Sequence, residues 1–490
     1  MGIWARKPVA LMRQEAGAEG SHLRRSLGVV SLTAFGVGST IGAGIFVLTG
    51  AEAAHHAGPA VTFSFMLASL ACFFAGLCYA EFAAMVPVAG SAYSYAYATM
   101  GELVAWIIGW CISLEYVFSA ALVAIGWSGY ARSAAADLGL HLPRELTAAP
   151  FRWETNHVVI TGTWVDLPAV LVTLACTALL VVSTRQSAIV NTIIVSAKVA
   201  AIIIIIAVGV HYVDPANWQP FIPPNTGGYG NFGWTGVATA AGVVFFSYIG
   251  FDGISTLAED CHHPQRTIPM SLFLALAICT TLYVGVSLVV TGLTKYTGLD
   301  VPDPIYHALS SVQADLGWLK FLVAVVAVFG LISVILLSLL GQVRILYAMG
   351  RDGLLPASLT RTSPRFGTPH VGTLWTGAIA ALTAGFTPLD VLTELISIGT
   401  LLAFAMVCAG ILVLRRTDPH HERPFRTPWV PVVPVLGILC CTYLMYSLPI
   451  YTWKRLFYWL LIGIALYAAY GHRHSKLAAA GAKPGGTGAR

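Results

Sequence analysis

Charge is what this chain has least of. Of 490 residues only 10% are Asp, Glu, Lys or Arg, against 57% hydrophobic. Soluble domains carry about 25% charged residues, so a water-soluble globule is excluded and a polytopic membrane protein is expected. Paired cysteine motifs are missing too. Cys72, Cys78, Cys111, Cys176, Cys261, Cys279, Cys408, Cys440 and Cys441 form no C-x-x-C pair, and most fall in hydrophobic runs. That argues against a disulfide framework or a zinc ribbon. Cys261-His262-His263 sets three possible metal ligands side by side, but no further Cys or His lies nearby, and a polar loop is the simpler reading. The first 27 residues hold Arg6, Lys7, Arg13, Arg24 and Arg25 without an apolar core, so they read as a tail and not as a cleaved signal.

What is present is a series of apolar runs. Twelve spans are predicted, at 29–54, 59–86, 102–131, 166–184, 188–212, 233–260, 269–294, 317–348, 371–388, 392–414, 429–450 and 455–471. With the N-terminus inside, 19 of the 27 Lys and Arg fall on the cytoplasmic side, seven fall outside and Lys198 lies in the membrane. The positive-inside rule therefore places both termini in the cytoplasm. Topology alone accounts for the net charge of +5, and nucleic acid is not implied.

The first span organises the rest. Val29 to Ala54 carries no Lys or Arg, and at about 1.5 Å per residue it reaches across a core of about 30 Å. Yet glycine recurs at 36, 38, 42 and 44. Each costs roughly 1 kcal/mol against alanine inside a helix. Two readings follow: close helix packing through small residues, or a helix broken at mid-membrane where the backbone lines a cavity. A second break would decide, and the sixth span supplies a candidate, Val243-Val244-Phe245-Phe246-Ser247-Tyr248-Ile249-Gly250-Phe251-Asp252-Gly253. Five spans separate the two starts. Residues 29–212 and 233–414 then form two halves of opposite orientation, followed by a pair at 429–471, between tails 1–28 and 472–490. Interrupted helices at matching positions of two halves point to a transporter site.

Three ionisable residues lie deep in spans: Glu115, Lys198 and Asp252. Each costs about 2.5–3.5 kcal/mol at bilayer centre and should face the protein interior. Each also has a structural alternative. Glu115 could anchor two helices, Asp252 could bind amides freed at the break next to Gly250, and Lys198 could be a fixed cation on unwound carbonyls. Glu81 and Glu102, at span ends, are expected at the interface. Ser333 and Ser338 interrupt the eighth span. Five positions apart is about 140° around a helix, so both cannot face one cavity.

Several stretches together resemble the amino acid–polyamine–organocation (APC) superfamily, in particular bacterial relatives of the cationic amino acid transporters. They are Gly38-Ser39-Thr40-Ile41-Gly42-Ala43-Gly44-Ile45-Phe46, Tyr79-Ala80-Glu81-Phe82, Pro87-Val88-Ala89-Gly90-Ser91-Ala92-Tyr93, Phe251-Asp252 with Glu259-Asp260, Pro264-Gln265-Arg266-Thr267-Ile268-Pro269 and Arg351-Asp352-Gly353-Leu354-Leu355-Pro356. The match runs from about residue 25 to 472. It implies an all-α, LeuT-like five-plus-five inverted repeat with broken helices 1 and 6 holding an amino acid. Ala43 stands where the family commonly has Ser or Thr, and His263 where Asn is common.

Backbone chemistry agrees with that expectation. A helix beginning near Gly44 would point free N–H groups at a carboxylate. Carbonyls from about Phe246 to Ile249 would suit an ammonium. The expected substrate site is therefore Thr40, Ile41, Gly42, Ala43, Gly44, Phe246, Ser247 and Ile249, with Glu115 and Ser338 toward the substrate side chain and Lys198 coupling protons. Proton-coupled uptake is expected, with weak preference for cationic amino acids; an exchanger or facilitator is the alternative within the class. An enzyme is not expected, because no nucleophile, base or ligand set converges. A heteromeric light chain would use a cysteine in the outer loop 132–165, which has none. Expected partners are thus an amino acid, protons and the bilayer, with no cofactor or metal; the sequence is silent on a small accessory subunit.

Overall fold

The computed structural model describes residues 4–8, 11–12, 28–85, 90–154, 157–182, 188–261, 263–312, 316–363, 368–419 and 423–477. Arg13, Arg24, Arg25, Pro87-Val88-Ala89, His262 and Arg365, together with the end of the C-terminal tail, lie outside them, as do the side chains of Glu259 and Asp260.

The helices follow the apolar runs. α1 (Val29–Thr40) stops at Ile41, and the chain resumes as a π-helical turn (Gly44–Leu48), α2 (Thr49–Glu52) and a second such turn (Ala53–Ala57). Gly58, at φ +60°, ends this piece, and Pro59 opens the short turn into α3 (Val61–Met85). Then come α4 (Ser91–Thr99), α5 (Glu102–Asp137), α6 (Leu167–Val182) and α7 (Ala188–Gly209). The second half starts with α8 (Gly233–Val244), which tightens to a 3₁₀ turn (Phe245–Tyr248), breaks, and continues as Asp252–Asp260. α9 (Pro264–Leu293), a short α10 (Pro304–Ser310), α11 (Gly317–Arg351), α12 (His370–Phe386) and α13 (Leu389–Thr417) follow, then α14 (Val432–Ser447) and α15 (Ile450–Leu466). Pro264 and Pro304 each stand at a helix start, where the missing N–H costs nothing.

Each predicted span coincides with one or more of these helices. Among the described residues, seven helical stretches are long and apolar enough by themselves to cross a membrane; α14 and α15, meeting at 113°, pass only together, and α1 and α6 are apolar but shorter. This is a multi-pass membrane protein. Large apolar side chains remain exposed around its flank, among them Ile193, Phe321, Phe329, Leu382 and Tyr446, as a lipid-facing surface requires.

The all-α expectation needs one amendment. The outer loop folds an antiparallel hairpin, β1 (Phe151–Glu154) on β2 (His157–Ile160), with Phe151 opposite Ile160. α3 lies on α9, α5 on α11, and α6 on α12, α13 packs on both α14 and α5, and both pieces of the first span touch the pieces of the sixth.

Glu81 and Glu102 are at span ends but wholly inside the protein. Glu81 accepts from Arg415 Nε and Nη2 at 3.0 and 2.9 Å and from the Thr427 amide at 2.7 Å, and pairs with Arg423 at 3.2 Å. Glu102 accepts from Tyr97 and Tyr467 hydroxyls at 2.7 and 2.8 Å and from Ser475. Beside it Lys7 meets Asp352 at 2.6 Å, and the Tyr93 hydroxyl donates to the same carboxylate at 2.7 Å. Satisfied partners are what let carboxylates stand in a buried position.

Candidate functional site

Both glycine readings hold, at different glycines. A Cβ on Gly44 would lie 2.3–2.5 Å from Ser247, including its Cα, so Gly44 lets the restart of the first span press on the sixth. Gly36 and Gly38 press likewise on Ile254 and Val195. Gly42 is different: a Cβ there would meet only Val334 side-chain atoms at 3.3 Å or more, and Gly42 lines a cavity. Gly250 serves both purposes. Its φ of +112° turns the sixth span, and its Cα faces the Ser39 backbone across a gap that a Cβ would close to 3.0 Å.

Three side chains hold the breaks together. Ser39 Oγ donates within hydrogen-bond reach of Phe35 O, Gly36 O and, across the interface, Gly250 O at 3.0 Å. The Tyr283 hydroxyl on α9 stands 2.9 Å from Thr40 O and 2.6 Å from Ser247 O, so one proton is shared between the two broken helices. The Tyr130 hydroxyl on α5 donates to Phe46 O at 2.7 Å.

The ionisable residues take up the freed backbone. Lys198 Nζ reaches Gly38 O at 3.2 Å and Ile41 O at 3.3 Å, two carbonyls at the end of α1. Its stem passes beside Gly330, where a Cβ would come to 2.8 Å of Lys198 Cε. Asp252 Oδ1 accepts the Gly250 amide at 3.2 Å. Glu115 accepts from Thr400 on α13 at 2.8 Å through Oε2, while Oε1 has no partner.

Between the breaks lies a cavity of about 750 Å³, counted to its open mouth. Thr40, Gly42, Ala43, Phe246, Ile249, Gly250 and Ser338 line it, together with Tyr116, Ser119, Val123, Val334 and Leu337, which sequence reasoning missed. Ile41, Gly44, Ser247, Glu115, Lys198 and Asp252 stand behind the wall. Ser333 is away from it, its hydroxyl on Gly330 O at 2.8 Å. Arg344, exposed, stands at the rim. Two buried hydroxyls on the lining, Thr40 Oγ1 and Ser119 Oγ, have no hydrogen-bond partner, the condition of groups that await a polar ligand. The restart of the first span adds the amides of its opening turn, which a helix leaves without internal partners.

A turn further along the same two helices, at Val47 and Ile125, a second cavity begins. It carries Arg132, Arg152, Asp166, Asp300 and Asp390. The His55 imidazole, 3.0 Å away, holds the Asp300 carboxyl below its usual range.

A family model described as amino acid permease matches residues 27–467. The chain belongs to the amino acid permease family, within the APC superfamily. It is similar to a methylthioribose transporter of Bacillus subtilis, 42% identical over 97% of this chain and 99% of that one. It is similar as well to the branched-chain amino acid permease BcaP of B. subtilis, 44% identical over 93% of this chain and 95% of that one. A third relative, the vacuolar cationic amino acid transporter 4 of Arabidopsis thaliana, is 38% identical over 82% of this chain and 65% of its own length. All are named as transporters or permeases, and this permease is not an enzyme.

Proposed function

We propose that this permease is a secondary active transporter of L-amino acids with apolar side chains, driven by protons. The observation that carries the reading is the cavity where the two broken helices meet. On one side it has the amide-rich start of the first span's second piece; on the other it has the carbonyl end of the Phe245–Tyr248 turn. A zwitterion needs both at once. Beyond them the wall is Val123, Ile249, Val334 and Leu337 with the hydroxyls of Ser119 and Ser338, and no Asp or Glu is among its lining residues. A cationic side chain would have no counter-charge there: Glu115 is behind the wall and the nearest charge at the rim is Arg344, of the wrong sign. The lining therefore favours a branched aliphatic substrate over arginine or lysine, in line with the name of the BcaP relative.

The pairing of α3 with α9, α5 with α11 and α6 with α12, second span on seventh, third on eighth and fourth on ninth, supports a five-plus-five arrangement of twelve crossings. Basic residues at Arg344, Arg351, Arg361, Arg415, Arg416 and Arg426 support an orientation with the corresponding ends, both termini and the rim of the cavity on the cytoplasmic side of a bacterial inner membrane. Lys198 is the group chosen for proton coupling. Its amine holds the break of the first span, and an amine can exchange a proton whereas a guanidinium does not.

The test is uptake by the purified chain in proteoliposomes with the outside acidic. Labelled leucine should accumulate, be displaced by isoleucine and valine, and resist arginine. Displacement by arginine but not isoleucine would restore the cationic reading. Displacement by methylthioribose alone would assign the cavity to a thio-sugar, and uptake indifferent to the pH gradient would remove proton coupling.

A further inference from the structure

A groove on the flank of the molecule, distinct from the central cavity, carries a second site. We propose that it binds an uncharged membrane lipid through a free hydroxyl group. The groove runs between α5, α11, α12 and α15, with about 1300 Å³ of unfilled space counted out to its open side. Trp110 and Phe118 of α5, Trp375 of α12 and Trp459 of α15 supply aromatic walls. Trp375 is 61% exposed, so the groove opens sideways on the surface expected to face lipid.

The polar bookkeeping is specific. Trp110 and Trp459 stack at 4.6 Å and 17°, and each indole N–H is spent on the other's carbonyl, at 2.9 and 3.4 Å. Their walls thus offer the groove apolar faces only. The lining also carries Ser113, Ser358 and Trp375, and among its polar atoms Gln342 Oε1 and Thr376 Oγ1 are buried without a hydrogen-bond partner. Gln342 is 3% exposed and Thr376 1%. An orphaned buried carbonyl is costly and calls for a donor. No Asp, Glu, Lys, Arg or His is among the lining residues, so a phosphate or ammonium headgroup would be desolvated there without a counter-charge. A transmembrane helix from another chain is disfavoured as well, because its backbone donors are used internally. An alcohol fits: its O–H donates to Gln342 Oε1, its oxygen accepts from Thr376, and its apolar body covers the aromatic walls.

Position gives the site a consequence. Gln342 directly follows Gly341, which lines the central cavity, and α5 turns Trp110 and Phe118 to the groove but Tyr116 and Ser119 to the cavity. A lipid here would brace α5 and α11 from behind.

The experiment uses the full chain in phospholipid nanodiscs with four photoactivatable probes: a diacylglycerol, its hydroxyl-methylated ether, a sterol alcohol, and a phosphatidic acid of the same chains. One or both alcohols should label peptides around Gln342–Met349 or Trp375–Ile379, and which one does names the source of the hydroxyl. Methylation should lower labelling about tenfold, the order of a lost hydrogen bond in a dry site. The paired change Gln342→Leu with Thr376→Val should abolish the difference between alcohol and ether. Should that variant not remain monodisperse, the alcohol–ether comparison on the unaltered chain decides. Equal labelling by alcohol and ether, stronger labelling by phosphatidic acid, or a groove that resists every probe and crosslinks instead to a co-purified polypeptide would each overturn the proposal.

Discussion

The two broken helices solve the same problem by opposite means. In the first span the loose ends are carbonyls, Gly38 O and Ile41 O, and a cation from α7 holds them. In the sixth the loose end is an amide, Gly250 N, and a carboxylate two residues further along holds it. Charge is matched to the backbone dipole in both cases. The difference lies in where the charge comes from. Asp252 belongs to the span it stabilises, so the Gly250 amide is held from within, while the carbonyls of Ser247 and Gly250 take their donors from Tyr283 and Ser39. Lys198 belongs to another helix, 160 residues away, so the first break is only as well defined as the position of α7. Any motion of α7 against α1 must be felt at these carbonyls, which flank Thr40 and Gly42 of the cavity wall. Of the two charges, Lys198 is thus the one placed to respond to the rest of the molecule.

The strongest way to break the comparison is to force the two breaks apart. Gly44→Leu places a side chain where Ser247 Cα already lies 2.5 Å from a bare Cβ. Backbone cannot yield as a side-chain tip can, so this variant should fail to give a monodisperse protein in size-exclusion chromatography. Gly42→Leu faces Val334 side-chain atoms and the cavity. It should fold and lose substrate binding, read as the absence of a leucine-induced thermal shift. Equal folding of both variants would show that the two glycines do not divide the roles of packing and access.

Next in size is the cation. Lys198→Ala leaves two carbonyls at the break without their donor, and each orphaned buried group costs about 1–3 kcal/mol. Transport should fall by about a hundredfold or more, since about 1.4 kcal/mol is a factor of ten. Lys198→Arg separates the two roles. It keeps positive charge near Gly38 O and Ile41 O but does not deprotonate, so it should retain exchange and lose accumulation driven by an acid exterior. Full proton-driven accumulation by Lys198→Arg would make the residue a fixed cation.

What the sequence revealed follows from what kind of signal each feature leaves. Family membership was plain, because it rests on many motifs spread along the chain. The cavity wall was legible where backbone irregularity betrays itself as glycine or as a break in an apolar run: Thr40, Gly42, Ala43, Phe246, Ile249 and Gly250 all line it. Ile41, Gly44 and Ser247 sit in the same stretches but behind the wall, since a one-residue step turns a helical side chain by about 100° and no pattern fixes which face is inward. Glu115 was drawn into the site by its charge alone; its neighbours Tyr116 and Ser119 line the cavity instead. Tyr283 carried a readable signal, a phenol in an aliphatic span whose hydroxyl must find a partner. That its partners would be both breaks at once is tertiary information.

A smaller effect sharpens the contrast from the other side. Because the Gly250 amide is held from within its own span, Asp252→Asn keeps an acceptor oxygen within its reach and removes only the charge. Affinity for substrate should change by about tenfold at most, the difference between a charged and a neutral hydrogen bond. Thermal stability should change less than in Lys198→Ala. If Asp252→Asn proves as damaging as Lys198→Ala, the carboxylate answers to something beyond the Gly250 amide.

The smallest expected effect concerns which side chains the cavity admits. Ser338 is 8% exposed and lines the cavity on the same helix as Val334 and Leu337. Ser338→Met adds apolar volume to a wall that is already apolar, without touching either break. If an aliphatic side chain lies there, the added thioether should exclude isoleucine and leucine by about fivefold while alanine uptake is kept, the equivalent of about 1 kcal/mol, the low end for one methylene in a shaped pocket. Ser338→Ala should do the reverse, leaving leucine unchanged or slightly favoured because a hydroxyl no longer needs a partner. The cationic alternative gives a different order. Arginine would have to extend past Ser338 toward Glu115, which is already bonded to Thr400, so Ser338→Met would depress arginine above all and Glu115→Gln would abolish it. Competition of each amino acid against labelled alanine, run in parallel on the three Ser338 and Glu115 variants, therefore distinguishes a pocket that measures aliphatic shape from one that answers to charge.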